Sequence, residues 1–315
     1  MIISKKLKER FVKDYKIPIK LFASPYFEDR LQLYDKYFDT MSKYKSFISV
    51  VEKYNNEEEY FAAYNKVKDD AINYIKSTEA YNRFNSLDMN IFAINNEYRN
   101  LPSKDIYHAS NIGRKFISID MRKANFSSLH NFDSSIFGNV NCWEDFIKKF
   151  TDNENIINSK YIREVILGNC NPKRHITYEK YLMSEIITNI IVITGISLNN
   201  IVFFSNDEII FDVTDMYIDI FNEFYDKIIS IINKSSLSFK IEVFTLIGIK
   251  KNNTIIGYFK KLTNDTIDFK CITSIDFPFV LRKLNNESII DSDLIFEFEG
   301  NLAKFIESPN IEIIV

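Results

Sequence analysis

Apolar positions in the first third of the chain recur at helical intervals. In "YFEDRLQLYDKYFDTM" Phe27, Leu31, Tyr34 and Phe38 fall on one stripe, and in "EEEYFAAYNKVKDDAINYI" so do Tyr60, Tyr64, Val67, Ala71 and Ile75. Spacing of three and four residues predicts amphipathic helices whose stripe faces a core. The chain from about Lys5 to Arg99 therefore reads mostly as helices, with Pro18 and Pro25 breaking the first segment into a short helix and an extended connector.

The period changes after Pro102. "RKFISID" alternates, which predicts a strand ending at Asp120, with Phe116, Ser118 and Asp120 on one face and Ile117 and Ile119 on the other. Helical patterns return in "CWEDFIKKF", in "SKYIREVIL" and from about Tyr178 to Thr194. In "IVFFSNDEIIFDV", Ile201 to Val213, two apolar runs flank Ser205, Asn206, Asp207 and Glu208. That is a β-hairpin signal, since Asn and Asp tolerate positive φ and bond their own backbone. "DMYIDIFNEFYDKIISIIN" predicts an amphipathic helix with its N-cap near Thr214. From Phe239, "FKIEVFTLIGIKKNNTIIGYFKKL" predicts two strands joined at "KKNNT", "FKCITSI" a further strand, and "FEFEGNLAKF" a half-buried strand. The expected class is α+β: a helical N-terminal domain over residues 1–105, an antiparallel sheet packed on helices over 106–234, and a β-rich C-terminal extension over 235–315.

Composition narrows the function classes. With 46% hydrophobic and 26% charged residues, and only 7 Gly and 6 Pro, the chain is expected to be ordered nearly throughout. Phe, Tyr, Ile, Asn and Lys share A/T-rich codons, so their abundance carries no functional meaning, whereas Arg114, Arg122, Arg163 and Arg174 in the middle third are kept against that bias. A net charge of −3 with no basic tail excludes the global electrostatic footprint of a nucleic-acid binder and leaves a local basic groove open. Cys142, Cys170 and Cys271 have no C-x-x-C spacing, and with His108, His130 and His175 scattered they make neither a zinc site nor a disulfide framework. Reduced thiols in a cytoplasmic protein are expected. "MIISKKLKERF" is charged too early for a secretory leader, and the most apolar window carries Glu185 and Asn189, so no membrane partner is expected. Ser127 and Ser128 lack a G-x-S-x-G elbow, which leaves nucleophilic catalysis unsupported.

Acidic residues mark the candidate chemistry. Asp120 closes a strand, and Asp207 and Glu208 cap a hairpin that an α+β fold brings beside it. Carboxylates facing each other across a few ångströms suit Mg²⁺ or Mn²⁺ and two-metal phosphoryl transfer. A tight turn accounts for Asn206 and Asp207 equally well on the hairpin alone.

The order of a strand with Asp, helices, a hairpin with an acidic tip, a helix and a second hairpin is similar to the palm of reverse transcriptases and RNA-dependent polymerases. "IDMRKANFSSL", Ile119 to Leu129, resembles the first palm motif of reverse transcriptases, D-x-x-x-A-x-F-S, and "FFSNDEIIF" resembles the hairpin carrying their paired aspartates. "EVFTLIGIKK" lies where that fold places its primer-gripping hairpin. The resemblance covers roughly Arg114 to Lys261 and makes 106–234 a palm-like domain. It implies Asp120 and Asp207 as catalytic metal ligands, with Glu208 where a second Asp is usual; an alternative register sets Asn206 and Asp207 there, leaving Asp207 the one strong ligand. Asn125 takes the place of an aromatic gate against the ribose 2′-hydroxyl, an arrangement that looks ribonucleotide-accepting. We find no clear Gly-rich second palm motif, and the fingers would be small or moved to the N-terminal helices.

In a polymerase-like reading Lys160 and Arg163, one turn apart, contact the incoming triphosphate, and Lys173, Arg174 and Lys180 grip nucleic-acid phosphates. A solvated basic face is the bland alternative. Three functional expectations follow: a metal-dependent nucleotidyltransferase acting on a nucleic-acid 3′ end with nucleoside triphosphates; a non-enzymatic, virus-encoded binding protein that engages a partner through an aromatic surface; and a Mg²⁺-dependent nuclease.

Overall fold

The computed structural model describes residues 3–103 and 106–315; the boundary expected at residue 105 lies outside them. The fold is α+β. Its first third is α1 (Lys5–Asp14), α2 (Tyr26–Phe38), α3 (Thr40–Val51), α4 (Glu57–Ser77), α5 (Glu79–Ser86) and the short α6 (Asn96–Arg99). Side-chain caps start several of them: Ser4, Asn56 and Thr78 each accept from the backbone N–H three residues on, satisfying a donor the helix leaves open. Tyr60, Tyr64, Val67, Ala71 and Ile75 are all buried, so the stripe predicted on α4 is its core face.

The middle of the chain is β1 (Lys115–Met121), α7 (Ala124–Phe132), α8 (Trp143–Ile147), α9 (Glu154–Ile157), α10 (Lys160–Gly168), α11 (Pro172–Thr194), β2 (Ile201–Phe204), β3 (Glu208–Asp212) and α12 (Ile218–Asn233). It continues into β4 (Phe239–Lys251), β5 (Thr254–Leu262) and β6 (Ile267–Lys270). α13 (Phe277–Asn285), the β7 (Ile295–Phe298) and β8 (Asn301–Lys304) hairpin, and β9 (Ile311–Ile314) complete it. The main sheet runs β2-β3-β1-β4-β5-β6, every pair antiparallel, with β9 beside the far half of β4. Its first four strands thus have β-α-β-β-α-β connectivity with β1 and β3 central. Because β4 pairs β1 along Lys115–Met121, the sheet runs without interruption across the boundary expected at 234 and 235.

The two faces of this sheet differ. Ile117, Ile119, Ile209 and Phe211 pack under Met183, Ile186, Ile187 and Ile190 of α11 and Phe224 and Ile228 of α12. The opposite face is apolar at one end, with Phe116, Ile210, Phe244, Leu246 and Tyr258. At its other end the register sets Asp120 beside Glu208 and Lys240, and Ser118 beside Glu242.

Several local expectations change. α11 begins at Pro172 rather than near Tyr178, because Asn171 takes a left-handed cap and Pro at the first position needs no hydrogen-bond donor. α12 begins at Ile218: Thr214 bonds Asp212 and the Lys115 backbone instead of capping a helix. β6 covers "IDFK" and stops before Cys271, whose φ is +61°. Asn252 and Asn253 do adopt positive φ between β4 and β5, as a tight hairpin favours. Asn206 and Asp207 do not; there Ser205 closes the turn, its Oγ accepting from the Asp207 and Glu208 N–H groups.

Aromatic residues fill the interior, including Phe11, Phe27, Phe47, Phe84, Phe137 and Phe146. Among the described residues Tyr217 and Phe298 are the aromatic side chains standing out as large exposed apolar groups. No described helix is long and apolar enough to cross a membrane.

Candidate active site

The sequence places an acid at the end of β1 and others at the β2–β3 tip, and the sheet register joins them. Asp120 and Glu208 are cross-strand partners, and the Met121 N–H donates to the Asp207 carbonyl at 2.8 Å. Asp120 and Asp207 line one cavity of about 370 Å³. Its other walls include Lys123 and Asn125 at the start of α7, Lys160 and Arg163 on α10, His175 and Glu179 on α11, and Asn206. Five of the residues singled out from the sequence, Asp120, Asn125, Lys160, Arg163 and Asp207, therefore converge.

Lys123 makes the turn from β1 into this wall. Its φ is +50°, and its ammonium bridges both carboxylate oxygens of Glu144 at 2.5 Å. Ser127 steadies the same turn by donating to the Arg122 carbonyl at 2.6 Å, which explains that hydroxyl without nucleophilic chemistry.

The electrostatics divide the cavity. Burial pushes the Asp120 carboxyl up to about 6, and the neighbouring charges of Glu208 and Asp207 add to it against Lys260 and Lys240. Asp120 has no hydrogen-bond donor or ion-pair partner among the described residues. Glu208 differs: its Oε1 accepts from Ser118 at 2.5 Å and from the buried Lys260 at 3.3 Å. Lys260 also lies 3.5 Å from Glu242, so Glu208 belongs to an ion cluster under the sheet face and is not among the cavity-lining residues. At the hairpin tip it is Asn206 and Asp207 that line the cavity, with Asp207 its charged group.

Opposite the acids, Arg163 is half-buried with its Nε unbonded, and burial lowers its pKa against the pull of Glu164 and Glu144. A guanidinium in that state gains from an anionic ligand. Lys160 is exposed beside it, 3.9 Å from Glu164.

Lys173, Arg174 and Lys180 fall outside this wall. Arg174 donates through one terminal nitrogen to the carbonyls of Phe84 and Leu87 at 2.9 and 2.5 Å, fastening the end of α5, while its Nε is buried without a hydrogen-bond partner among the described residues. Lys180 sits over the Phe204 ring at 5.2 Å, and Lys173 is exposed on the first turn of α11. Among the histidines, His175 is buried and donates to the Cys170 carbonyl, and His130 bonds the Val140 carbonyl at 2.8 Å.

Glu179 is the residue that sequence reasoning missed. It is buried on α11, accepts from the Asn206 amide at 2.6 Å and thereby ties the helix to the hairpin tip. Burial pushes its carboxyl up to about 7, opposed by the Asn206 bond and assisted by Asp207. A Glu between Tyr178 and Met183, on the stripe that α11 buries, was the available signal.

No group of three or more His, Cys, Asp or Glu among the described residues is arranged to hold a metal ion. Asp120 and Asp207 bring two carboxylates to one cavity. Mg²⁺ is commonly held by one or two carboxylates together with water and substrate phosphates, and an acid pushed upward by like charges has its ionised form restored by a cation. Compared with protein-family models, curated proteins and solved structures, the chain matches none.

Proposed function

We propose that this chain is a metal-dependent nucleotidyltransferase that adds nucleotides from nucleoside triphosphates to a nucleic-acid 3′ end. The observation that carries the reading is the two-sided cavity, with Asp120 and Asp207 on one wall and Lys160 and Arg163 on another. A magnesium nucleotide presents that combination of charges, a divalent cation beside a polyanion. The β-α-β-β-α-β order, and the "D-x-x-x-A-x-F-S" pattern that brings Asp120 and Asn125 to the same cavity, support a palm-like scaffold.

The reaction proposed is in-line attack of a 3′-hydroxyl oxygen on the α-phosphorus, forming a P–O bond and expelling pyrophosphate. Asp120 and Asp207 would hold Mg²⁺ or Mn²⁺, which when bound supplies Lewis-acid stabilisation of phosphoryl oxygens. Arg163 and Lys160 bind the triphosphate and offset the charge that builds on the leaving group. Asn125, small and polar, faces the sugar and leaves room for a ribose. Glu208 shapes the local field from beneath, held by Ser118 and Lys260. The free thiols of Cys142 and Cys170 suit a reducing cytoplasmic compartment.

Primer extension with Mg²⁺ or Mn²⁺, comparing ribo- and deoxyribonucleotides, tests this reading. Extension by the wild type that disappears in both Asp120→Ala and Asp207→Ala supports it. Equal signal in all three proteins sinks it, and a shortened primer replaces it with hydrolysis.

A further inference from the structure

The basic wall of the cavity stands on α10, and α10 is anchored from outside the sheet. Lys160 is its first residue and Arg163 follows one turn later. Ser159, 1% exposed, is its N-cap: the Ser159 Oγ accepts from the Ile162 N–H at 3.1 Å and donates to Asp14 Oδ1 at 2.8 Å. Tyr64 of α4 donates to the same Asp14 oxygen at 2.9 Å. Arg10 lies 3.8 Å from it and stacks over the rings of Tyr64 and of Tyr161, which belongs to α10, at 4.5 and 4.9 Å. A hydroxyl has one proton to give. With Asp14 taking it, the Ser159 oxygen is left facing the first turn of α10 as an acceptor.

Building on the nucleotidyltransferase reading, we propose that Asp14 is a positioning residue for triphosphate binding: through Ser159 it fixes the first turn of α10 and so sets Lys160 and Arg163 against the substrate phosphates. Asp14 ends α1, is 2% exposed and does not border the cavity, so it acts only through its neighbours. Arg163 has no ion-pair partner among the described residues, and its placement depends on the helix that carries it. A shift of about an ångström at a binding group costs tenfold or more in productive binding. Within this chain, then, the N-terminal helices supply part of the substrate site's geometry.

The test uses the full chain and the variants Asp14→Ala, Asp14→Asn and Ser159→Ala, each checked for native circular dichroism. KM for nucleotide and kcat are measured in primer extension, and affinity for tripolyphosphate is measured by calorimetry. Asp14→Ala is expected to raise KM about tenfold with kcat within about twofold. Asp14→Asn, which keeps an acceptor for Ser159, is expected to restore most of the loss, and tripolyphosphate affinity should follow the same order. An active wild type whose KM is matched by folded Asp14→Ala overturns the inference, as does Asp14→Asn as impaired as Asp14→Ala. If Asp14→Ala does not fold, Ser159→Ala decides: an unchanged KM overturns the proposal and a raised one upholds it. Failure of the underlying reading looks different, since the wild type itself then extends no primer.

Discussion

Asp14 and Asp120 are both largely removed from water, and burial pushes both carboxyls up to about 6. Their surroundings separate them. Asp14 receives hydrogen bonds from Tyr64 and Ser159 and has Arg10 nearby, all of which favour its charge. Asp120 receives none and is instead pushed further in the same direction by Glu208 and Asp207. The fold meets Asp14 on Oδ1 and leaves its Oδ2 buried without a hydrogen-bond partner among the described residues, whereas at Asp120 a bound cation would offset the charge. Burial raises both carboxyls alike, and the donors and charges around each one are what differ.

The largest expected effect concerns chemistry. Under the proposed function, Asp120→Ala or Asp207→Ala should lower kcat for primer extension by about a thousandfold or more, since several kcal/mol of transition-state stabilisation leave with the cation. Glu208→Gln should cost far less, because Glu208 faces Ser118 and Lys260 rather than the cavity. A Glu208→Gln enzyme as inactive as Asp120→Ala would erase the distinction between the two acids.

Next in size comes stability, where the two aspartates should differ in sign. Asp14→Ala leaves Arg10, Tyr64 and Ser159 without their shared acceptor and should destabilise the fold by about 3 kcal/mol in urea unfolding. Asp120→Asn removes a repelled charge and, without divalent metal, should stabilise it by about 1 kcal/mol after allowing for partial solvent screening. The pH dependence follows from the direction of the shift. A carboxyl raised from 3.8 to about 6 holds its proton more tightly when folded, so its contribution to stability falls as pH rises through that window and is level above it. Asp120→Asn should remove this part of the slope, and Mg²⁺ should raise the Tm of the wild type above pH 6 or so while leaving Asp120→Asn unmoved. Equal Mg²⁺ shifts in both proteins would place the cation elsewhere.

Much of this contrast was legible in the sequence, and what was not has a common cause. Two-residue alternation in "RKFISID" set Asp120 on the face opposite Ile117 and Ile119, and the stripe of Tyr60 to Ile75 marked the buried side of α4. Both are local patterns. The pairing of β4 with β1, the Lys260 partnership of Glu208 and the use of Arg174 on the Phe84 and Leu87 carbonyls join residues tens of positions apart, and no local period encodes them. The Asn206 and Asp207 turn shows a subtler limit. Its residue types suited positive φ, yet the Ser205 side chain satisfied the turn's N–H groups and made that conformation unnecessary. A polar residue on an apolar stripe, as at Glu179, was visible, but its partner Asn206 was not.

Glu179 offers the smallest effect and the finest test of the comparison, because it combines features of both aspartates. Like Asp14 it is buried and accepts a hydrogen bond, here from Asn206; like Asp120 it borders the cavity and is raised further by Asp207. Glu179→Gln keeps an acceptor for the Asn206 amide and removes the ionisation. The wild-type carboxyl is raised from 4.5 to about 7, so its charging weakens the fold only as pH climbs through that window. The variant should therefore match the wild type at pH 5 or so and exceed it by about 1 kcal/mol near pH 8, with primer extension within about threefold throughout. Loss of activity comparable to Asp120→Ala would instead place Glu179 among the groups that complete the cation site. A variant less stable at both pH values would mean that the carboxylate itself, rather than the acceptor it provides, holds the hairpin tip against α11.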